Sequence, residues 1–210
     1  MNTLVQAAGS TFAMKGGVCR IRRQIGEHMS TERWEIDSSH SGIQFTVRHL
    51  VIAKVRGQFS RWTGTVTAPH GDFGRASLDV VIDAASIDTG VADRDAHLRS
   101  ADFFDVERYP EITFKSSEVS RAASDRLRVA GALTIKGVAR DVVLDVEVLG
   151  LAKDPWGNER AAFSATTSID RRDFGLTWNQ VLETGGVMVG DRIDIAIEIE
   201  AVRQVATNAA

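Results

Sequence analysis

The sequence predicts an all-β protein: an extended antiparallel barrel of about eight strands with one short helical insertion over residues 91–107. Three observations predict it. From Trp34 onward apolar and polar residues alternate in segment after segment, the period that gives a strand one face in an apolar interior and the other in water. Turn residues interrupt these runs at short intervals, which favours neighbouring antiparallel strands over long crossovers. Only one stretch, "VADRDAHLRSADFFDVERYP" at 91–110, abandons period two.

Taken in order, "GIQFTVRH" sets Ile43, Phe45 and Val47 against Gln44, Thr46 and Arg48. A strand is expected over 57–68, carrying Phe59 and Trp62, and another in "ASLDVVID", where Leu78, Val80 and Ile82 share a face. The insertion reads as helix, with Asp93 four residues before His97 and Asp95 four before Arg99, a spacing that allows ion pairs on one helix face. Pro110 ends it. Strand 111–119 carries Phe114, and "RLRVAGALTIKG" puts Leu127, Val129, Gly131, Leu133 and Ile135 on one side. Lys136-Gly137 then makes a tight hairpin into "DVVLDVEVLG". "DPWGNE" is a turn before "RAAFSATTSI", which holds Phe163 and Ala165. "RIDIAIEIEA" closes the series with Ile193, Ile195, Ile197 and Ile199 facing one way.

Composition narrows the function. Lys and Arg number 25 against 28 Asp and Glu, a formal net charge of −3, so there is no basic excess for nucleic acid. No apolar run approaches the roughly 20 residues of a membrane-spanning helix, so integral membrane association is not expected. The single cysteine, Cys19, provides neither a disulfide nor a cysteine zinc site. His28, His40, His49, His70 and His97 lack metal-ligand spacing, and Asp93 with His97 gives two ligands where a site needs three or four. No G-x-S-x-G elbow occurs. In "GGVMVGD" Asp191 stands where a phosphate loop needs lysine. No metal and no cofactor are expected. At the N-terminus the charges (Arg20, Arg22, Arg23) follow the apolar residues instead of preceding them, the reverse of a secretory signal. The expectation is a flexible extension over 1–32, with Met29 as an alternative start, a domain over 33–203, a tail over 204–210, and a cytoplasmic location.

Eight strands close around an interior that either fills with side chains or holds one small ligand. The inward positions mix bulky residues with Gly64, Gly131 and Ala165, which fits both a tapering packed core and a cavity. Phe103-Phe104 could likewise plug the barrel end or border an entrance.

A resemblance bears on that choice. Arg94, Asp95, His97, Leu98, Phe103, Tyr109, Pro110, Thr113 and Phe114 reproduce the diagnostic pattern of the YceI-like, polyisoprenoid-binding family. "GALTIKGVARDVVLDV" (131–146) resembles its hairpin, Arg171, Asp173, Phe174 and Gly175 its Arg-x-Asp-Phe-Gly segment, and "WEIDSSHSGIQFTVRHL" (34–50) its opening strand. The likeness runs over about 33–203. It implies a lipocalin-like barrel whose interior holds a long-chain isoprenoid or acyl lipid, as carrier, store or buffer rather than enzyme. On that basis Phe45, Val47, Phe59, Trp62, Leu78 and Val80 are expected at the ligand, with Phe114, Leu133, Phe163 and Ile195 across from them. Phe174 and Trp178 join them from the Arg-x-Asp-Phe-Gly segment. Phe103 and Phe104 are expected to seal the mouth, with Arg94 and His97 at the rim. The alternatives are a barrel enzyme using Asp93, Arg94, Asp95 and His97, and a structural barrel with a filled core. A homodimer is left open.

Overall fold

The computed structural model describes residues 31–50, 52–181 and 187–204. The expected extension, apart from Thr31 and Glu32, and the tail beyond Gln204 lie outside them. Among these described residues eleven strands form one antiparallel sheet: β1 (Thr31–Ile36), β2 (Gly42–His49), β3 (Ala53–Phe59), β4 (Trp62–Pro69), β5 (Ser77–Asp83), β6 (Ile87–Asp88), β7 (Glu111–Arg121), β8 (Arg126–Ile135), β9 (Val138–Lys153), β10 (Glu159–Asp170) and β11 (Val189–Gln204). Among the described residues a single α-helix, α1 (Ala92–Arg99), interrupts them.

Eight strands close the ring, in the order β1-β4-β5-β7-β8-β9-β10-β11 and back to β1. The remaining three lengthen it. β11 is 16 residues long, enough for two partners end to end. Its last residues pair with β1 and its first two-thirds with β2. Between those partners the chain turns at Asp37–Ser41, where Asp37 N donates to the Glu200 carbonyl and Glu200 N to Ser41 Oγ. β3 continues the sheet from β2, and the short β6 pairs with the end of β3.

The β8–β9 hairpin has Lys136 and Gly137 at φ 50° and 75°, the two left-handed residues of a type I′ turn. Asp154 organises the β9–β10 turn, accepting from the Trp156 and Asn158 amides. The single strand expected over 57–68 is two strands: the chain breaks at Ser60–Arg61, where Ser60 N donates to the Ser86 carbonyl and Asp83 N to that of Arg61. The inward set changes parity across the break, from Gly57 and Phe59 to Trp62, Val66 and Ala68.

The expected pairs inside α1 do not form. Asp95 is buried and accepts from the Thr89 amide (2.9 Å) and hydroxyl (2.5 Å). Arg99 reaches back to the carbonyls of Ala85 (2.8 Å) and Ile87 (2.7 Å). Both therefore tie the helix to the strand that precedes it, because the carbonyls and amides of an irregular connection need partners more than an exposed helix face does.

Candidate functional site

The inward residues of the strands enclose a long apolar cavity of about 260 Å³. Its far end is closed by Trp34, Phe73, Leu127 and Phe163, a cluster sealed between strands by the small residues Ala68, Ala161 and Ala201. Among the lining residues only Gln44, Ser77, Thr167 and Arg171 have polar side chains.

Three glycines shape the wall. A Cβ on Gly131 would sit 2.5 Å from the Lys115 carbonyl and 2.6 Å from the Phe114 ring, and one on Gly57 would sit 2.3 Å from the Phe45 ring. A Cβ on Gly64 would meet Ile36 Cδ1 at 2.5 Å. The small residues do not themselves leave the void. They let neighbouring side chains lie against the wall, and the bore is what remains along the axis.

Arg171 is a buried cation at the cavity wall, and its five N–H donors are all engaged. Nε donates to the Gly190 carbonyl, one terminal nitrogen to the carbonyls of Leu176 and Trp178, the other to the Val189 carbonyl and the Asp191 carboxylate. Burial lowers its pKa, an effect opposed by Asp191 and Asp170. With no donor free, Arg171 clasps 176–178 against 189–191 and does not offer a head-group site.

The segment 91–110 covers the near end. Leu98, Phe103 and Phe104 line the cavity. Phe104 stands edge-on to Phe59 at 6.0 Å, and Phe59 contacts Phe45 at 5.8 Å. Phe103 contacts Trp178 (5.3 Å) and His97 (5.1 Å), and His97 lies 4.6 Å from Trp178. Such aromatic pairs contribute about 0.5–1.5 kcal/mol each beyond their burial. Lys136 Nζ holds the segment from the opposite side through the Ala101 carbonyl at 2.8 Å.

Of the residues expected at the ligand, the cavity wall brings together Phe45, Val47, Phe59, Trp62, Leu78, Val80, Phe103, Phe104, Phe114, Leu133, Phe163 and Ile195. Four lie elsewhere. Phe174 is buried in the core packing, and Trp178 and His97 form the outer layer over Phe103. Arg94 donates to the Thr89 hydroxyl (2.7 Å) and carbonyl (2.9 Å). His97 Nε2 faces Asp102 at 3.0 Å. Leu98 and Leu176 line the wall without having been expected there: neither lies on a period-two strand. A leucine inside a helix expected to cap a barrel was the available signal for the first.

Away from the cavity, Asp37, His40 and Glu200 converge within 4.8 Å, a donor set a metal could use. Arg160 already occupies it, with Nη1 3.0 Å from Asp37 and bonded to Glu200, and Nε 3.0 Å from Asp154. A guanidinium at that position does not fit a second cation.

Fold and cavity thus define a closed, elongated antiparallel β-barrel around an apolar tunnel, capped by a helix and two aromatic layers. The chain belongs to the YceI-like family, whose domain model matches residues 34–201. It is 34% identical over 166 residues to a UPF0312 protein of Vibrio cholerae (79% of this chain, 84% of that protein). A UPF0312 protein of Staphylococcus aureus is 37% identical, covering 79% and 93%. Among solved structures, the Campylobacter jejuni YCEI protein aligns with TM-score 0.64 and 34% identity over 75% of this chain and 90% of its own. Burkholderia cenocepacia BcnA aligns with TM-score 0.69 and 25% identity over 79% and 98%. A polyisoprenoid binding domain from Saccharophagus degradans shares the fold, with TM-score 0.60 and 16% identity over 81% and 98%.

Proposed function

We propose that the protein binds one long, linear apolar chain, an isoprenoid or acyl lipid, along the barrel axis, and serves as its carrier or store. The observation that carries this reading is the tunnel itself: about 260 Å³ with walls of aliphatic and aromatic side chains, three uncharged polar ones (Gln44, Ser77 and Thr167) and, among the described residues, a single cation whose donors are all engaged. That volume lies just below the range of about 300–1,000 Å³ usual for small-molecule sites. A narrow bore of this size suits an unbranched or methyl-branched chain and not a fused ring system. Each buried CH₂ contributes about 0.8 kcal/mol, so a chain is retained without polar contacts. Any polar head then rests near Leu98, Phe103 and Phe104. The polyisoprenoid binding named for the Saccharophagus domain is in keeping with this cargo.

Binding rather than turnover is proposed because Arg94, Asp95 and His97 are engaged in holding the cap. Asp95 and Arg94 tie it to Thr89, and His97 pairs with Asp102 behind Phe103. Cytoplasmic residence belongs to the same proposal, and cell fractionation tests it.

Titration with a fluorescent polyene fatty acid tests the cargo. The expected result is saturable one-to-one binding, weakened at least about tenfold by Ala165→Trp, which fills the bore from an inward position. Non-saturating fluorescence, or equal binding by the variant, would overturn it.

A further inference from the structure

The β2–β3 hairpin carries a surface the tunnel does not account for. Between Gly42 and Phe59 the sequence contains Arg48, His49, Lys54 and Arg56 and no carboxylate. Arg48 and Lys54 are directly opposed across the two strands, and both are exposed. Like charges directly opposite one another are destabilising in a sheet. Neither has a carboxylate partner among the described residues. In a chain whose net charge is −3, an unneutralised cation pair points to an anion outside the molecule.

Beyond this pair the hairpin tip is aliphatic. Ile52 is 88% exposed and Leu50, held at φ 52°, is 37% exposed. Leu50 N donates to the Met188 carbonyl at 2.9 Å, which sets beside it the bridge Val181–Val187, whose valines are 79% and 39% exposed. This apolar tip is continuous with the tunnel end, because Val47 and Val189, both on the cavity wall, lie at most three residues from Leu50 and Val187 along their strands.

We propose that this end of the barrel docks on the surface of an anionic bilayer, with Leu50, Ile52, Val181 and Val187 entering the interface and Arg48 and Lys54 meeting lipid phosphates. The inference deepens the cargo reading and rests on it in one respect: a long apolar chain resides in a bilayer and has to pass between membrane and tunnel. The aliphatic tip favours a bilayer over an acidic protein, since interfacial insertion combines apolar burial with attraction to anionic lipid. Each basic residue near an anionic surface is worth about fivefold in affinity.

The test is flotation of the full chain with phosphatidylcholine vesicles, with and without phosphatidylglycerol. The protein is expected to float with the phosphatidylglycerol vesicles only, less at high salt because the attraction is screened. Lys54→Ala should weaken binding about fivefold and Ile52→Asp at least about tenfold. Both side chains lie on the exposed surface and outside the cavity wall, so polyene fatty acid titration in solution should be unchanged in both variants. Absence of phosphatidylglycerol dependence, or wild-type flotation by Ile52→Asp, overturns the proposal. A protein that takes up the fatty acid yet ignores vesicles loses the docking and keeps the cargo, and the cation pair then points to an acidic protein. One that floats yet takes up no fatty acid keeps the docking and loses the cargo.

Discussion

Gly131 shows how much a single position decides. Its neighbours across the ladder are the Lys115 carbonyl and the Phe114 ring, and the backbone oxygen has nowhere to retreat. Gly131→Ala is expected to destabilise the barrel by about 1–3 kcal/mol through overpacking, read as a lower urea midpoint with unchanged slope. An unchanged midpoint would mean the Phe114 ring is not seated on that glycine. The position also marks a limit of reading from sequence. Alternation correctly pointed Gly131 inward, but whether an inward glycine leaves a void or receives a ring depends on the rotamer of a residue from another strand. Arg94 and His97 show the same limit: their types suit a binding rim, while their contacts, Thr89 for the one and Asp102 with Trp178 for the other, tie the cap together.

Strands were the most legible elements, since one buried face imposes a period that no side-chain detail can hide. β8 and β11 match their expected inward sets residue for residue. What was not legible arose where the backbone departs from the ladder. The bulge between Ser116 and Glu118 shifts the register of β7, so Ile112 and Phe114 share an interior with Val119 despite the change of parity. A second irregularity, opposite Ala162–Phe163, leaves Leu149 without a partner and exposed. At this scale Arg171 makes the sharpest prediction. Arg171→Ala takes the donor from the Gly190, Leu176 and Trp178 carbonyls, while Val189 keeps Asn179 and Asp191 keeps Arg172, at a cost of about 1–3 kcal/mol for each carbonyl left unpaired. Arg171→Lys recovers little because an ammonium has three donors for five acceptors. Hydrogen exchange should quicken at Leu176–Trp178 and Val189–Asp191 in both variants. Wild-type protection there in Arg171→Ala would remove the clasp.

Across the whole molecule, the β1–β2 turn, β10 and β11 are locked at one end by Arg160 and its three carboxylates. Hydrogen bonds from Ser39 and His40, then Arg160, hold the Asp37 carboxyl far below its ordinary value. Burial pushes Asp154 up, but hydrogen bonds from Asn158, Arg160 and the Trp156 amide outweigh it and bring it from 3.8 to about 2. Depressed carboxyl values mean that the unfolded chain binds protons first. The stabilisation is therefore present above the unfolded value of 3.8; the Asp154 share is lost as pH falls from there through about 2, and the Asp37 share at still lower pH. Arg160→Met should lower stability at neutral pH, and its deficit should shrink over that acid range in parallel denaturation curves. A deficit independent of pH would contradict the assignment. The Trp34–Phe163 cluster and the aromatic cap close the barrel's two ends, and the tunnel between them carries the proposed function. Native mass spectrometry of gently purified protein, followed by solvent extraction, tests it most directly. The expected result is a stoichiometric adduct that releases a long, largely apolar chain and is absent from Ala165→Trp. A clean mass of the chain alone, unchanged after incubation with isoprenoid and acyl lipids, would mean that the barrel is filled by its own side chains.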